Sequence, residues 1–77
     1  MKNNIKVKSL EYFSIHQNNA DKTLLAIVEE NKEYKATLYK STEEYFAKDF
    51  EGREFLVGEI NIDGNIILEK NFILIEK

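Results

Sequence analysis

Ser41-Thr42-Glu43-Glu44-Tyr45-Phe46-Ala47-Lys48-Asp49-Phe50-Glu51-Gly52 is the stretch on which the fold class turns. Ser41 followed by Glu44 matches a capping box, in which the serine caps a helix and the glutamate reaches back to its amide. Glu43 and Glu44 also suit the positive end of a helix dipole. On that reading Tyr45, Phe46 and Phe50 face a sheet, and Gly52 ends the helix in the left-handed conformation. A helix of two to three turns over 42–51 is expected.

Everything around this stretch reads as strand. Ile5 and Val7 alternate with Lys6 and Lys8, the pattern of a half-buried strand. The parity slips where Leu10 and Tyr12 give way to Phe13 and Ile15, which predicts a bulge or sharp bend near 9–13. Gln17-Asn18-Asn19-Ala20-Asp21 is a polar loop. Thr23–Val28 is apolar on both faces and reads as a central strand. Glu29-Glu30-Asn31-Lys32 is expected to turn it into a partner strand over 33–40, with Asn31 at positive φ.

After the expected helix, residues 54–62 form a strand that turns at Asp63-Gly64. Leu56, Ile60, Ile62, Ile66 and Leu68 are all even-numbered, so an odd-length loop with Gly64 left-handed keeps them on one face. The tail Phe72-Ile73-Leu74-Ile75 carries apolar residues on both faces, because successive strand side chains point to opposite sides. A bare edge strand of that kind is an aggregation template. These four residues are therefore expected in the sheet centre, under the helix, or at a homodimer interface.

The expected class is α+β, mostly antiparallel, in the order β-β-β-α-β-β with a further strand at the end. This order resembles that of an OB-fold barrel. An SH3-like barrel or an open sheet with one short helix fits nearly as well. Seventy-seven residues make a single domain over 1–77.

Composition narrows the chemistry. The absence of cysteine excludes disulfides and thiolate catalysis, and one histidine, His16, excludes a multi-histidine metal site. His16 with Ser14 or Ser9 and Asp21 lacks both a nucleophile elbow and an oxyanion turn. Asp49, Glu51 and Glu54 lack the dense oxygen ligands of a calcium loop, and Asp63-Gly64-Asn65 needs no ion to turn. The three glycines are scattered, which argues against a phosphate loop. No enzyme activity, metal or cofactor is expected. The opening Met1-Lys2-Asn3-Asn4-Ile5-Lys6 has no secretory pattern, and the longest apolar runs are too short to cross a bilayer. A soluble cytoplasmic protein is the expectation.

Charge is unevenly placed. Residues 1–40 hold seven basic and five acidic side chains (+2), and residues 41–77 hold four and nine (−5), summing to the net −3. The one all-basic patch is Lys2, Lys6 and Lys8, and the one arginine, Arg53, leaves no bidentate set for reading bases. Nucleic acid is therefore an unfavoured partner, although Tyr12, Tyr34 and Tyr39 beside Lys35 and Lys40 are candidate stacking platforms for a single strand. A small-ligand or nucleotide-sequestering oligomer is a further alternative. The leading expectation is a protein-binding module. Its surface is Glu43, Glu44, Tyr45, Phe46, Asp49, Glu51 and Glu54, and its partner is a basic protein surface, including one that normally binds nucleic acid. In size, composition and missing catalytic groups the chain resembles the small accessory proteins that phages carry against host defences, anti-CRISPR inhibitors among them.

Overall fold

A computed structural model describes residues 3–17 and 23–76. Eight strands follow one another: β1 (Asn4–Ser9), β2 (Phe13–His16), β3 (Leu24–Val28), β4 (Glu33–Tyr39), β5 (Glu44–Lys48), β6 (Glu54–Ile60), β7 (Ile66–Leu68) and β8 (Phe72–Glu76). No helix occurs among the described residues, which are all-β, and the α+β expectation is overturned. Six strands form one antiparallel sheet in the order β7-β6-β5-β4-β1-β8, curled into a nearly closed barrel. The remaining pair, β2-β3, folds over its inner side.

The expected helix is the strand β5. Ser41–Glu44 closes a turn instead of a cap: the amides of Thr42 and Glu43 donate to the Tyr39 carbonyl at 3.3 and 2.8 Å, with Glu43 at φ 56°. Beyond it the burial has period two. Tyr45, Ala47 and Asp49 point inward, while Phe46 and Lys48 point outward. An isolated helix of about ten residues is marginal in water. As a strand the same segment gains ladders on both sides, to β4 and β6, and its Tyr-Phe pair suits a pleated surface.

β1-β2 and β3-β4 are the two sides of one long, bent ribbon. β1 pairs with β4 from Asn4↔Thr37 to Lys8↔Glu33, and β2 pairs with β3 from Phe13↔Val28 to His16↔Leu24. The bend expected at 9–13 is present, and Asn31 has the expected positive φ of 58°. The expected β3-β4 hairpin is not formed, because the bend carries β3 off the sheet and leaves β4 to pair with β1 and β5. The loop expected at 17–21 lies, beyond Gln17, outside the described residues.

β6 holds a second correction. Tyr45 pairs with Gly58 but Phe46 pairs with Leu56, so Val57 is an extra, bulged residue. The bulge moves the buried set from odd (Phe55, Val57) to even (Gly58, Ile60). Leu56 is thus only half-buried, and Ile62 stands fully exposed in the turn. The turn is five residues long, odd as expected, with Ile60 opposite Ile66 and Gly64 at φ 84°.

The core is lined by Ile5 and Val7 of β1, Tyr34 and Ala36 of β4, Tyr45 and Ala47 of β5, Phe55 and Val57 of β6, and Phe72 of β8. Ala26 and Val28 of β3 close it. A chain of rings runs through it. Phe13 meets Phe72 edge-on at 5.9 Å, Phe72 stacks on Phe55 at 6.0 Å, and Phe55 meets Tyr34 edge-on at 5.2 Å. Each such pair adds about 1 kcal/mol beyond the area it buries.

Candidate protein-binding face

The outward residues of β4, β5 and β6 form the candidate site. Antiparallel register aligns them in rows: Tyr39, Glu44 and Glu59 in one, Thr37, Phe46 and Leu56 in the next, then Lys48 and Glu54. Tyr39 and Phe46, diagonal neighbours, hold their rings 4.7 Å apart and tilted by 47°. The Tyr39 hydroxyl donates a hydrogen bond to the Glu54 carboxylate, which raises the phenol above its ordinary pKa. Beside the rings is a shallow depression of about 260 Å³ lined by Lys35, Thr37, Phe46, Lys48 and Glu54.

Electrostatics here is unbalanced. Glu44 lies directly across the ladder from Glu59, an arrangement that costs stability. Neither forms an ion pair among the described residues. The face itself holds Glu44, Glu54 and Glu59 against Lys35 and Lys48, and the segment 43–69 around it carries eight acidic and two basic side chains, a net −6. One acid and one base of that set, Asp49 and Arg53, neutralise each other at 2.8 Å.

The sequence-expected residues divide between the surface and the interior. Glu44, Phe46 and Glu54 come together on the outer face, with Glu43 exposed in the turn before β5 and Glu51 exposed in the loop after it. Tyr45 points the other way and is fully buried, where burial raises its hydroxyl pKa.

Asp49 is also enclosed. One of its oxygens accepts from the amides of Glu51 and Arg53, both at 2.9 Å. The other accepts from the Ile27 amide at 2.9 Å and Arg53 Nε at 2.8 Å. Burial alone pushes the carboxyl up, but the amides of Ile27, Arg53 and Glu51 and the Arg53 guanidinium outweigh it and bring it down to about 2. Its oxygens are already taken by N–H donors, so it is a structural clamp.

Tyr39, Glu59 and Leu56 were absent from the expected surface. Assigning 42–51 to a helix hid the ladder that places them beside Phe46. The alternation Glu44-Tyr45-Phe46-Ala47-Lys48 was the available signal.

The tail divides by face. Phe72 is buried and Leu74 packs against the core, while Ile73 and Ile75 are exposed. β8 is an edge strand, paired with β1 alone, and Ile75 is a bulged residue: Val7 pairs with Leu74 but Lys6 pairs with Glu76. Such an irregularity makes an edge a poorer template for further pairing. Tyr34, one of the expected stacking platforms, is core, while Tyr12 and Tyr39 are exposed. His16 is exposed at the end of β2. No helix among the described residues is long and apolar enough to cross a membrane. Comparison with known protein families, with curated proteins and with solved structures finds no match.

Proposed function

We propose that the chain is a non-enzymatic protein-binding module, an inhibitor or accessory protein, that docks the outer face of β4-β5-β6 on a basic protein surface. A surface that ordinarily holds nucleic acid is such a partner, and a phage anti-defence inhibitor is one protein that would use it. What carries this reading is the Glu44-Glu59 pair beside the outward-facing rings of Tyr39 and half-buried Phe46. Two facing carboxylates without a counter-ion weaken the fold, and a partner's lysine or arginine reverses that cost on binding. The rings supply rigid apolar area of the kind that anchors interfaces.

The nucleic-acid reading has less support. Tyr34 is unavailable, and the phosphates of a strand crossing Phe46 would meet Glu44, Glu54 and Glu59.

The test is capture of partners by the wild type beside Glu44→Lys and Phe46→Ser, with circular dichroism to confirm the fold. The expected result is a partner with a basic surface, retained by the wild type and lost by both variants. Both substitutions lie on the surface and are expected to change stability by less than about 1 kcal/mol. Equal retention by all three removes the proposal. So does tight, salt-sensitive binding of a labelled oligothymidine by the wild type.

A further inference from the structure

We propose that the β2-β3 pair is a hinged arm that opens as a unit from the barrel, about one pivot and against two side-chain latches. The pivot is where the long ribbon bends. Ser9 is fully buried, its amide donates to the Lys32 carbonyl at 2.9 Å, and its carbonyl accepts from the Asn31 amide at 2.9 Å. The Ser9 hydroxyl donates to the Glu11 carbonyl at 2.7 Å, and the Leu10 amide donates to the Asn71 carbonyl at 2.8 Å. Both chains of the arm therefore leave the barrel through a single pinned point.

Beyond that point the strands of the arm pair only with each other. Among the described residues no ladder joins them to the barrel, and two side chains hydrogen-bond across the gap. The Asp49 carboxylate, from the β5-β6 loop, takes the Ile27 amide. The Tyr34 hydroxyl, from β4, accepts from the Glu29 amide at 2.9 Å. These N–H groups sit at alternating positions at and just beyond the end of β3, the spacing at which an edge strand presents donors to a neighbouring strand. Two side chains stand in for that strand. Arm and barrel also meet through apolar contact, with Phe13, Ile15, Ala26 and Val28 packed into the core cluster. Phe13 and Ile15 also form one wall of an apolar depression of about 410 Å³, whose other walls are Leu56, Phe72 and the turn 69–71. Opening the arm joins this depression to the core.

Small cooperative units with few bonds to the remainder are the ones that open below the global unfolding free energy. Because the Ile27 amide is spent on Asp49, Ser14↔Ile27 is a non-hydrogen-bonded pair, and Phe13↔Val28 and Ile15↔Ala26 exchange the arm's ladder bonds. The amides of Phe13, Ile15, Ala26 and Val28 therefore report opening without touching either latch.

The experiment is residue-resolved hydrogen exchange on the wild type, Tyr34→Phe and Asp49→Asn at neutral pH. Tyr34→Phe removes one hydroxyl and keeps the ring, so it serves as the variant that folds if Asp49→Asn does not. The expected result is that in the wild type those four amides exchange faster than the β1, β4 and β6 amides and with little dependence on low urea, and that either variant speeds them about tenfold. Arm amides with the same protection and the same urea dependence as the barrel amides mean that arm and barrel open together, and overturn the proposal. Unchanged exchange in Tyr34→Phe also overturns it.

Discussion

The loops Asp49–Arg53 and Asn61–Asn65 are built alike and serve different ends. In each, the first residue's amide donates to the carbonyl of the fifth, and the fourth residue, a glycine at φ 80° or 84°, donates back to the first, all at 2.9 Å. In each, one side-chain oxygen of the first residue takes the amides of the third and fifth, at 2.9 Å for Asp49 and at 3.0 and 2.9 Å for Asn61. The sequences share an Asx–x–acid–Gly pattern. A neutral carboxamide is therefore enough to shape the loop. What the charge adds at Asp49 lies outside the loop, in the second oxygen that binds Ile27 and the Arg53 side chain.

Breaking the clamp is the strongest test of this difference. Asp49→Ala leaves the Ile27, Glu51 and Arg53 amides without their acceptor and is expected to lower the melting temperature by about 10 °C or more. A thermal melt showing a change as small as that of an exposed substitution would mean the clamp is dispensable.

Acid gives the next largest effect. The folded carboxyl titrates near 2 and its ordinary value is 3.8, so the unfolded chain takes up its proton first as the pH drops. The contribution of Asp49 is full above about pH 4 and is lost as the pH falls from about 4 to about 2. Urea midpoints measured across that window should fall more steeply for the wild type than for Asp49→Asn. Parallel profiles would place the acid sensitivity elsewhere.

The glycines sharpen the likeness of the loops. Gly52→Ala and Gly64→Ala each force a Cβ into the left-handed region and should cost about 1–2 kcal/mol by chemical denaturation. Equal costs follow from the shared backbone, and a twofold difference would show that the loops are strained differently. The smallest effect is expected at Asn61→Asp. The acceptor is kept and the position is open to water, so stability should change by less than about 0.5 kcal/mol.

The second of these loops was legible in the sequence and the first was not. Asp63-Gly64 stood between two clean alternations, so its turn and odd length could be read. Asp49-Phe50-Glu51-Gly52 carried the same pattern but followed a capping-box match and an aromatic pair that fit either period. What decided the segment was non-local: ladders offered by β4 on one side and β6 on the other. The bend in β1-β2 was visible as a change of parity, because burial on a new face leaves that trace. The Val57 bulge was hidden, since Leu56 and Val57 are equally apolar and only pairing with Tyr45 and Phe46 distinguishes them. Of the surface, Glu44 and Glu54 were legible as polar positions, whereas Phe46, expected to face the sheet from a helix, points outward from β5. Tyr39 and Glu59 depended on register, which one strand's sequence does not carry.

The pairing of β1 with β8 has a consequence for how the chain assembles. Val7 meets Leu74, so the first and last strands share a ladder that encloses almost every residue between them. Closing so long a loop carries an entropic cost that local hairpins avoid, and topologies rich in such contacts fold slowly. During synthesis β4 can pair with β1 and β6 with β5 as they emerge, while the far edge of β1 waits for β8. For that interval Lys6 and Lys8, on the outward face of β1, are the charges that guard an open edge.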